Sequence, residues 1–145
     1  MPAVYEKMGI RFLYPDNWTL DEQEAFDGNR SVSVSSPGGA FWSIALHARG
    51  TNPDELAATA LEILRAEYAD AESEEASEEI AGQPTSGFDV HFFFFDLTNT
   101  ALIRGFRTAA ASCLVLCQAE DREFETLAPV FRAITTSLLS TGQPS

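Results

Sequence analysis

Hydrophobic residues alternate with polar ones over several short segments in the first half of the chain. This period of two predicts strands over 9–14, 18–26, 31–35 and 41–49. Clusters of Pro, Gly, Asn and Asp separate the segments, and the strongest of these turn signals spans 27–29. The first half is therefore predicted to be an antiparallel meander of three or four strands.

The most apolar stretch, 88–97, contains four consecutive phenylalanines and is apolar at both alternate sets of positions. Such a strand is typical of the centre of a sheet, where both faces are covered. Thr98 and Asn99 are predicted to turn the chain into further strands over 100–109 and 112–119. The three strands would form a second antiparallel meander.

Two segments have helical periodicity instead. The first helix is predicted to begin at Asn52 and Pro53, a capping residue followed by proline at the first helical position. The second is predicted over 121–139, with Pro129 expected to kink it or to start a new helix, and 141–145 is expected to fray. A sheet that is apolar on both faces needs cover on both. The order of elements therefore predicts an α+β fold, an antiparallel β-sheet flanked by two α-helices in an α/β/α sandwich.

Composition narrows the class of protein. A chain of 145 residues, 45% hydrophobic and 21% charged, suits one globular domain over 1–145. Nine basic residues against 22 acidic ones give a net charge of -13, which repels nucleic acid phosphates and anionic membrane surfaces. Neither is expected as a partner. The sequence has no apolar run near about 18 residues and does not begin like a secretory leader, so a cytoplasmic location is expected.

Acidic side chains are concentrated between positions 67 and 79. The run is predicted to be the exposed end of the first helix and a link to a short strand over 77–83. A second interpretation is a docking patch for a basic protein partner. The residues of this candidate patch are Glu67, Asp70, Glu72, Glu74, Glu75, Glu78 and Glu79.

Few residues are candidates for chemistry. Cys113 and Cys117 would lie about 13 Å apart along one strand, too far for a disulfide, and are predicted to be buried. The histidines lack metal-ligand spacing. Asp89 and His91 share a strand face and are the nearest approach to an acid–base pair, but we interpret them as polar residues that limit aggregation. No catalytic residue, metal or cofactor is therefore expected.

The segment 12–18, Phe-Leu-Tyr-Pro-Asp-Asn-Trp, resembles the strand–turn–Trp opening of the PsbP-like superfamily, in which glycine usually occupies the position of Asn17. The last helix is similar to that of the same superfamily. The residues that carry this second similarity are Phe124, Leu127, Pro129, Phe131, Ile134, Ser137 and Leu138. The superfamily includes an extrinsic subunit of the photosynthetic oxygen-evolving complex, a Ran GTPase release factor and bacterial domains, some of them secretion chaperones. The resemblance implies a non-catalytic protein that binds other proteins.

Two functions remain open. The first is a non-enzymatic protein-binding, adaptor or chaperone-like module that presents a sheet edge, a helix face or the acidic run. The alternative is a binder of small molecules or hydrophobic peptides, with an aromatic pocket between sheet and helix near Trp18, Trp42 or the phenylalanine run. An enzyme would require Asp89 and His91 to converge in a cleft. The oligomeric state is not predicted.

Overall fold

The computed structural model describes residues 2–24 and 29–141. Within these residues the chain forms the following elements: β1 (Pro2–Lys7), β2 (Ile10–Pro15), β3 (Thr19–Glu24), β4 (Arg30–Ser35), β5 (Phe41–His47), α1 (Pro53–Glu67), β6 (Glu72–Ile80), β7 (Gln83–Phe94), β8 (Leu97–Arg107), β9 (Ser112–Glu120) and α2 (Asp121–Thr141). The end of the strand predicted over 18–26 and most of the turn predicted over 27–29 lie outside the described residues. So does the tail expected to fray, apart from Thr141, which ends α2.

Seven strands form one antiparallel sheet in the order β3-β4-β5-β9-β8-β7-β6, and β1 pairs with β2 in a separate hairpin. Each of the predicted meanders is present, as β3-β4-β5 and as β7-β8-β9. They join where β5 pairs with β9, so that Ile44 lies opposite Val115 at the centre of the sheet. The pattern did not predict β1.

The helices cover opposite faces of the sheet. On one face, α1 packs Leu61 and Leu64 with Val90 and Ile103 of the sheet. On the other, α2 and the β1–β2 hairpin cover a larger cluster around Trp42. The indole N–H of Trp42 donates to Thr135 Oγ1 at 2.9 Å. These two layers confirm the predicted α+β sandwich.

The helix ends follow local chemistry. The Asn52 side chain accepts a hydrogen bond from the backbone N–H of Asp54 at 2.9 Å, and Pro53 occupies the first turn of α1. This satisfies an N–H group that would otherwise have no partner at the helix terminus. The second helix is continuous across Pro129, so this residue does not start a new helix.

Two predictions about the phenylalanine-rich stretch are wrong. Strand β7 lies next to the edge strand β6 rather than at the centre of the sheet. The chain turns at Phe95 and Asp96, and not at Thr98 and Asn99, which belong to β8. The reason is the register, because Phe94 pairs with Leu97 and leaves only the two intervening residues in the loop.

The structure also corrects the prediction that the acidic run is a helix end and a link. After α1 ends at Glu67, the run becomes strand β6, which pairs with β7 over its full length from Glu72 to Ile80. The tight turn at Ala81 and Gly82 holds the two strands in register. This pairing outweighs the weak strand propensity of glutamate.

Candidate interaction surface

The edge strand β6 carries most of the acidic run. Glu67 ends α1 and Asp70 lies in the loop that follows, and all the others belong to β6. Because side chains alternate across a strand, Glu72, Glu74 and Glu78 lie on the α2 side of the sheet, whereas Glu75 and Glu79 lie on the α1 side. The run therefore borders one edge of the sheet from both faces, and does not form a patch on a single face.

Glu78 differs from the other acids of β6 because it is partly buried and is held by two arginines. Its carboxylate lies 3.0 Å from Arg104 Nε and 3.0 Å from the Arg132 guanidinium, and the same Arg104 contacts Asp89 at 2.8 Å. Burial raises the pKa of Glu78, but the hydrogen bonds and charges of the two arginines more than offset this effect and leave the pKa below its usual range. Glu78 therefore stabilises the fold and is not an open contact for a partner.

Asp89 and His91 do not form an acid–base pair. Asp89 is bound to Arg104, whereas the Nδ1 atom of His91 lies 3.1 Å from Thr100 Oγ1. The Thr100 hydroxyl in turn donates to Asp121 at 2.7 Å. The two side chains thus have separate partners, which agrees with a structural interpretation of both.

Both cysteines are buried and free, as predicted. Burial raises the pKa of the Cys113 thiol to about 11 and that of Cys117 further still, so both thiols stay protonated at neutral pH. No group of three His, Cys, Asp or Glu side chains in the described ranges is arranged to hold a metal ion. Neither helix of the described chain is long and apolar enough to cross a membrane.

The aromatic pocket suggested by the sequence is not formed by the tryptophans. Trp18 and Trp42 are both buried in the core under α2. The cavity between the sheet and α2 has a volume of about 270 Å³ and contains the Glu78, Asp89 and Arg104 network. A larger groove of about 570 Å³ runs between β2 and α2 and has a mainly apolar lining.

The end of the β7–β8 hairpin projects beyond the rest of the sheet. Strand β6 begins opposite His91, and β9 ends opposite Asn99. Within the described residues, 93–98 therefore pair only with each other and have no further strand on either side of the hairpin. We call these six residues the hairpin tip.

Large apolar side chains dominate the hairpin tip. The exposed fractions are 82% for Phe95, 56% for Phe93, 44% for Phe94 and 41% for Leu97. Phe92, one residue before the tip, is buried and stacks on Tyr68 with ring centroids 4.2 Å apart. The tip is thus an apolar protrusion mounted on a packed base.

The rings of the hairpin tip are ordered by contacts with one another and with α1. Phe94 meets the edge of Tyr68, the residue that caps α1, at a centroid distance of 5.9 Å. Phe95 packs against Phe94 at 4.4 Å. The turn itself has positive φ at both central residues, 51° at Phe95 and 61° at Asp96. Two-residue hairpin turns with this backbone strongly favour Asn-Gly or Asp-Gly.

Acidic groups surround the hairpin tip. Asp96 lies in the turn, and the tip has no Lys or Arg. Glu72 begins β6 opposite His91, close to the base of the tip. On the other side β9 ends at Glu120, whose carboxylate binds Arg122, and α2 begins with Asp121. The start of the acidic run therefore lies near the hairpin tip, whereas Glu78 and Glu79 lie at the other end of β7.

Sequence reasoning identified the acidic residues but missed the exposure of Phe93, Phe94 and Phe95. A run of four phenylalanines reads as core because periodicity does not show where the neighbouring strands end. One signal was available in the sequence. Asp96 interrupts the apolar run, and aspartate is favoured in tight turns.

Comparison with solved structures places the fold. The solution structure of cyanobacterial PsbP from Synechocystis sp. PCC 6803 superposes with a TM-score of 0.62 at 12% identity, covering 94% of this chain and 89% of that one. A Pseudomonas aeruginosa protein titled a putative regulator of unknown function, PA94, has a TM-score of 0.53 at 12% identity, covering 99% of both chains. The fold is PsbP-like. Protein-family models and curated proteins give no match to the sequence.

The aromatic residues Phe12 and Trp18 of the segment that resembles the PsbP-like opening lie in the hydrophobic core. Phe12 packs against Trp42 at a centroid distance of 4.8 Å, and Trp18 meets the edge of Phe131 in α2 at 6.1 Å. Asn17 replaces the usual glycine without positive φ, so the departure needs no strained backbone. The aromatic residues of the opening motif therefore pack the strand–turn–Trp segment under α2.

Proposed function

We propose that this chain is a non-catalytic protein-binding module of the adaptor or chaperone type, and that its partner is a basic protein segment bound along β6. The observation that carries the proposal is the edge position of β6, a nine-residue strand whose outer N–H and C=O groups face no other strand in the described part of the chain. An added strand can pair with such an edge through its backbone. The other edge strand, β3, is shorter, with six residues.

Charge determines which segments such an edge would accept. Charged side chains on edge strands discourage pairing with other chains. The exposed carboxylates of Glu72, Glu74, Glu75 and Glu79 disfavour acidic or neutral strands, and they attract a strand that carries Lys or Arg. The net charge of -13 acts in the same direction over a longer range.

The test uses two variants with equal charge. Glu74→Gln, Glu75→Gln and Glu79→Gln together neutralise β6, and Glu55→Gln, Glu62→Gln and Glu125→Gln neutralise three exposed acids on the helices. Tagged proteins are used to capture partners from the native cell extract at about 0.05 and about 0.5 M salt. We expect a stoichiometric partner with the helix variant at low salt only, and little with the β6 variant. Equal retention by both variants, or retention independent of salt, contradicts the proposal.

A second candidate function is favoured by the groove between β2 and α2. Its volume of about 570 Å³ lies in the range of small-molecule sites, and Leu13, Val130 and Ile134 contribute to its lining. A small apolar molecule is the expected ligand. Ala133→Trp should fill the groove and abolish binding of a hydrophobic fluorescent dye. Undiminished dye binding in that variant contradicts a site in the groove.

A further inference from the structure

We infer that the hairpin tip is a docking element that inserts into an apolar cleft of a partner protein, and that the cleft has a basic rim. The inference rests on the proposed function only in taking the partner to be a protein. It is carried by different residues, Phe93, Phe94, Phe95 and Leu97, on the hairpin next to β6.

The first step is the apolar area that the tip offers. A phenylalanine side chain can bury about 150–250 Å². Phe95 at the apex contacts Phe94, and Leu97 lies opposite Phe94 on the same face of the hairpin, whereas Phe93 lies on the other face. The tip is therefore apolar at its apex and on both faces, and exposed apolar patches often mark interaction sites. Aromatic residues are also enriched in the buried centre of protein interfaces.

The second step is preorganisation. Phe94 is held by Tyr68, and Phe95 packs on Phe94, so these two rings already have partners in the free molecule. The β7–β8 ladder continues up to the pair Phe94 and Leu97. A protrusion of this kind loses little conformational entropy on binding, which is the main cost that weakens flexible binding segments.

The third step is the turn. Phe95 has a positive φ of 51° and is largely exposed, so it strains the backbone without contributing to the core. The other two-residue hairpin turns with positive φ, Met8-Gly9 and Ala81-Gly82, both have glycine at the second position. Residues held in unfavourable backbone conformations often belong to functional sites.

The fourth step is the choice of occupant. In a bilayer the Asp96 carboxylate would enter at the apex together with the rings, which is costly, and the net charge of -13 repels anionic lipid. In a symmetric contact between two copies, Asp96 and its neighbours would face their own counterparts. A protein cleft that is apolar inside and lined with Lys or Arg at its rim satisfies both the rings and the carboxylates.

The experiment places the photoreactive amino acid p-benzoylphenylalanine at position 95 of the full chain and illuminates the producing cells. The control places it at Ile63, an α1 residue that is 62% exposed. We expect about 10- to 30-fold more cross-linked protein from position 95, as for an interface hot spot. Mass spectrometry of the product should locate the cross-link among apolar residues flanked by Lys or Arg.

Three outcomes overturn the inference. They are cross-linking at position 95 no greater than at position 63, cross-linking to a second copy of the chain, and cross-linking to lipid. Co-flotation with phosphatidylcholine vesicles, or with vesicles that also contain phosphatidylglycerol, would favour a bilayer and equally overturn it.

Two variants separate this inference from the proposed function. Phe93→Ser with Leu97→Ser, made with the photoreactive residue at position 95, should lower cross-linking at least about tenfold. The β6 variant of three glutamines is made in the same background. If cross-linking responds to the β6 variant and not to the tip variant, the edge-strand proposal stands and the tip inference fails. The reverse result keeps the tip and rejects the edge.

Discussion

Strand β7 begins and ends in turns that have the same backbone conformation and different sequences. At its start, Ala81 and Gly82 have φ values of 52° and 80°, and at its end Phe95 and Asp96 have 51° and 61°. Glycine adopts this conformation without steric cost, whereas an L-residue with a Cβ atom does not. The second position is glycine in the first turn and aspartate in the second, and aspartate tolerates this backbone less readily than glycine does.

The surroundings of the two turns also differ, because the first lies next to packed residues and the second next to exposed ones. Near the first, Ile80 is buried under α2, and Arg132 of α2 binds Glu78 on the adjoining strand. Near the second, the β7–β8 ladder has no other strand beside it among the described residues, and the large side chains of Phe93, Phe94 and Phe95 are exposed. The difference teaches that one end of the hairpin is adapted to the stability of the fold, and that the other retains features that stability does not require.

The largest expected effect is the difference in unfolding free energy between a substitution at the base of the hairpin tip and one in the tip itself. Phe92→Ala removes a buried ring that stacks on Tyr68, and should lower the free energy of unfolding by about 3–5 kcal/mol. Phe95→Ala removes an exposed ring and should change it by less than about 0.5 kcal/mol. Urea titration measures both. Equal losses would mean that the tip is part of the core.

A central strand would have given Phe94 the same cost as Phe92. The structure lowers that expectation, because Phe94 is 44% exposed and its ring contacts are with Tyr68 and with the exposed Phe95. Phe94→Ala should therefore fall between the other two variants. This ordering is the test of where the core ends along β7.

Local patterns were sufficient for most of the fold. The alternation around Trp42 and Ile44, and the capping residues Asn52 and Pro53, depend on neighbours in the sequence, so the strand and the helix start were predictable. Burial at the end of β7 depends on where β6 begins and β9 ends. These are tertiary facts that periodicity does not contain.

The same distinction applies to the candidate site. The concentration of acids between Glu67 and Glu79 was evident from the sequence, but their roles were not. Glu78 is bound by Arg104, 26 positions away on another strand, and nothing local distinguishes it from Glu79. The short strand predicted over 77–83 covers only the end of β6, and its first part was missed because its propensity is weak and its pairing with β7 is decisive.

The second prediction replaces the two residues of the Phe95–Asp96 turn by a pair that favours its backbone conformation. Phe95→Asn with Asp96→Gly introduces the pair that this backbone favours, and should raise the free energy of unfolding by about 1–2 kcal/mol. Phe95→Ala is the control, because it removes the ring without improving the backbone. Urea titration of both variants measures the change. A gain equal to that of the control would mean that the ring, and not the turn, determines the stability of this end.

The third prediction compares one substitution in each of the two turns that flank β7. Gly82→Ala should lower the free energy of unfolding by about 1 kcal/mol, because a Cβ atom there meets open space and only the backbone with φ of 80° opposes it. Asp96→Gly should raise it by a similar amount. Thermal denaturation of the two variants gives the signs. A loss in both would show that the Asp96 side chain stabilises the turn.

The smallest expected effect is the dependence of stability on pH through Glu78, whose ion pairs lie near the Ala81–Gly82 turn. Arg104 and Arg132 hold the pKa of Glu78 below its usual range, so its ionised form stabilises the fold above the unfolded pKa of about 4.3. This stabilisation should be lost as the pH falls from there through the folded pKa. The carboxylate is about one-third exposed, so the effect should stay below about 1 kcal/mol.

Urea titrations of the native protein and of Glu78→Gln should therefore differ at neutral pH and converge in acid. The protection of backbone amides against hydrogen exchange should also fall near Ala81 and not near Phe94. A difference between the two proteins that persists at acid pH would mean that Glu78 acts through packing rather than through its charge.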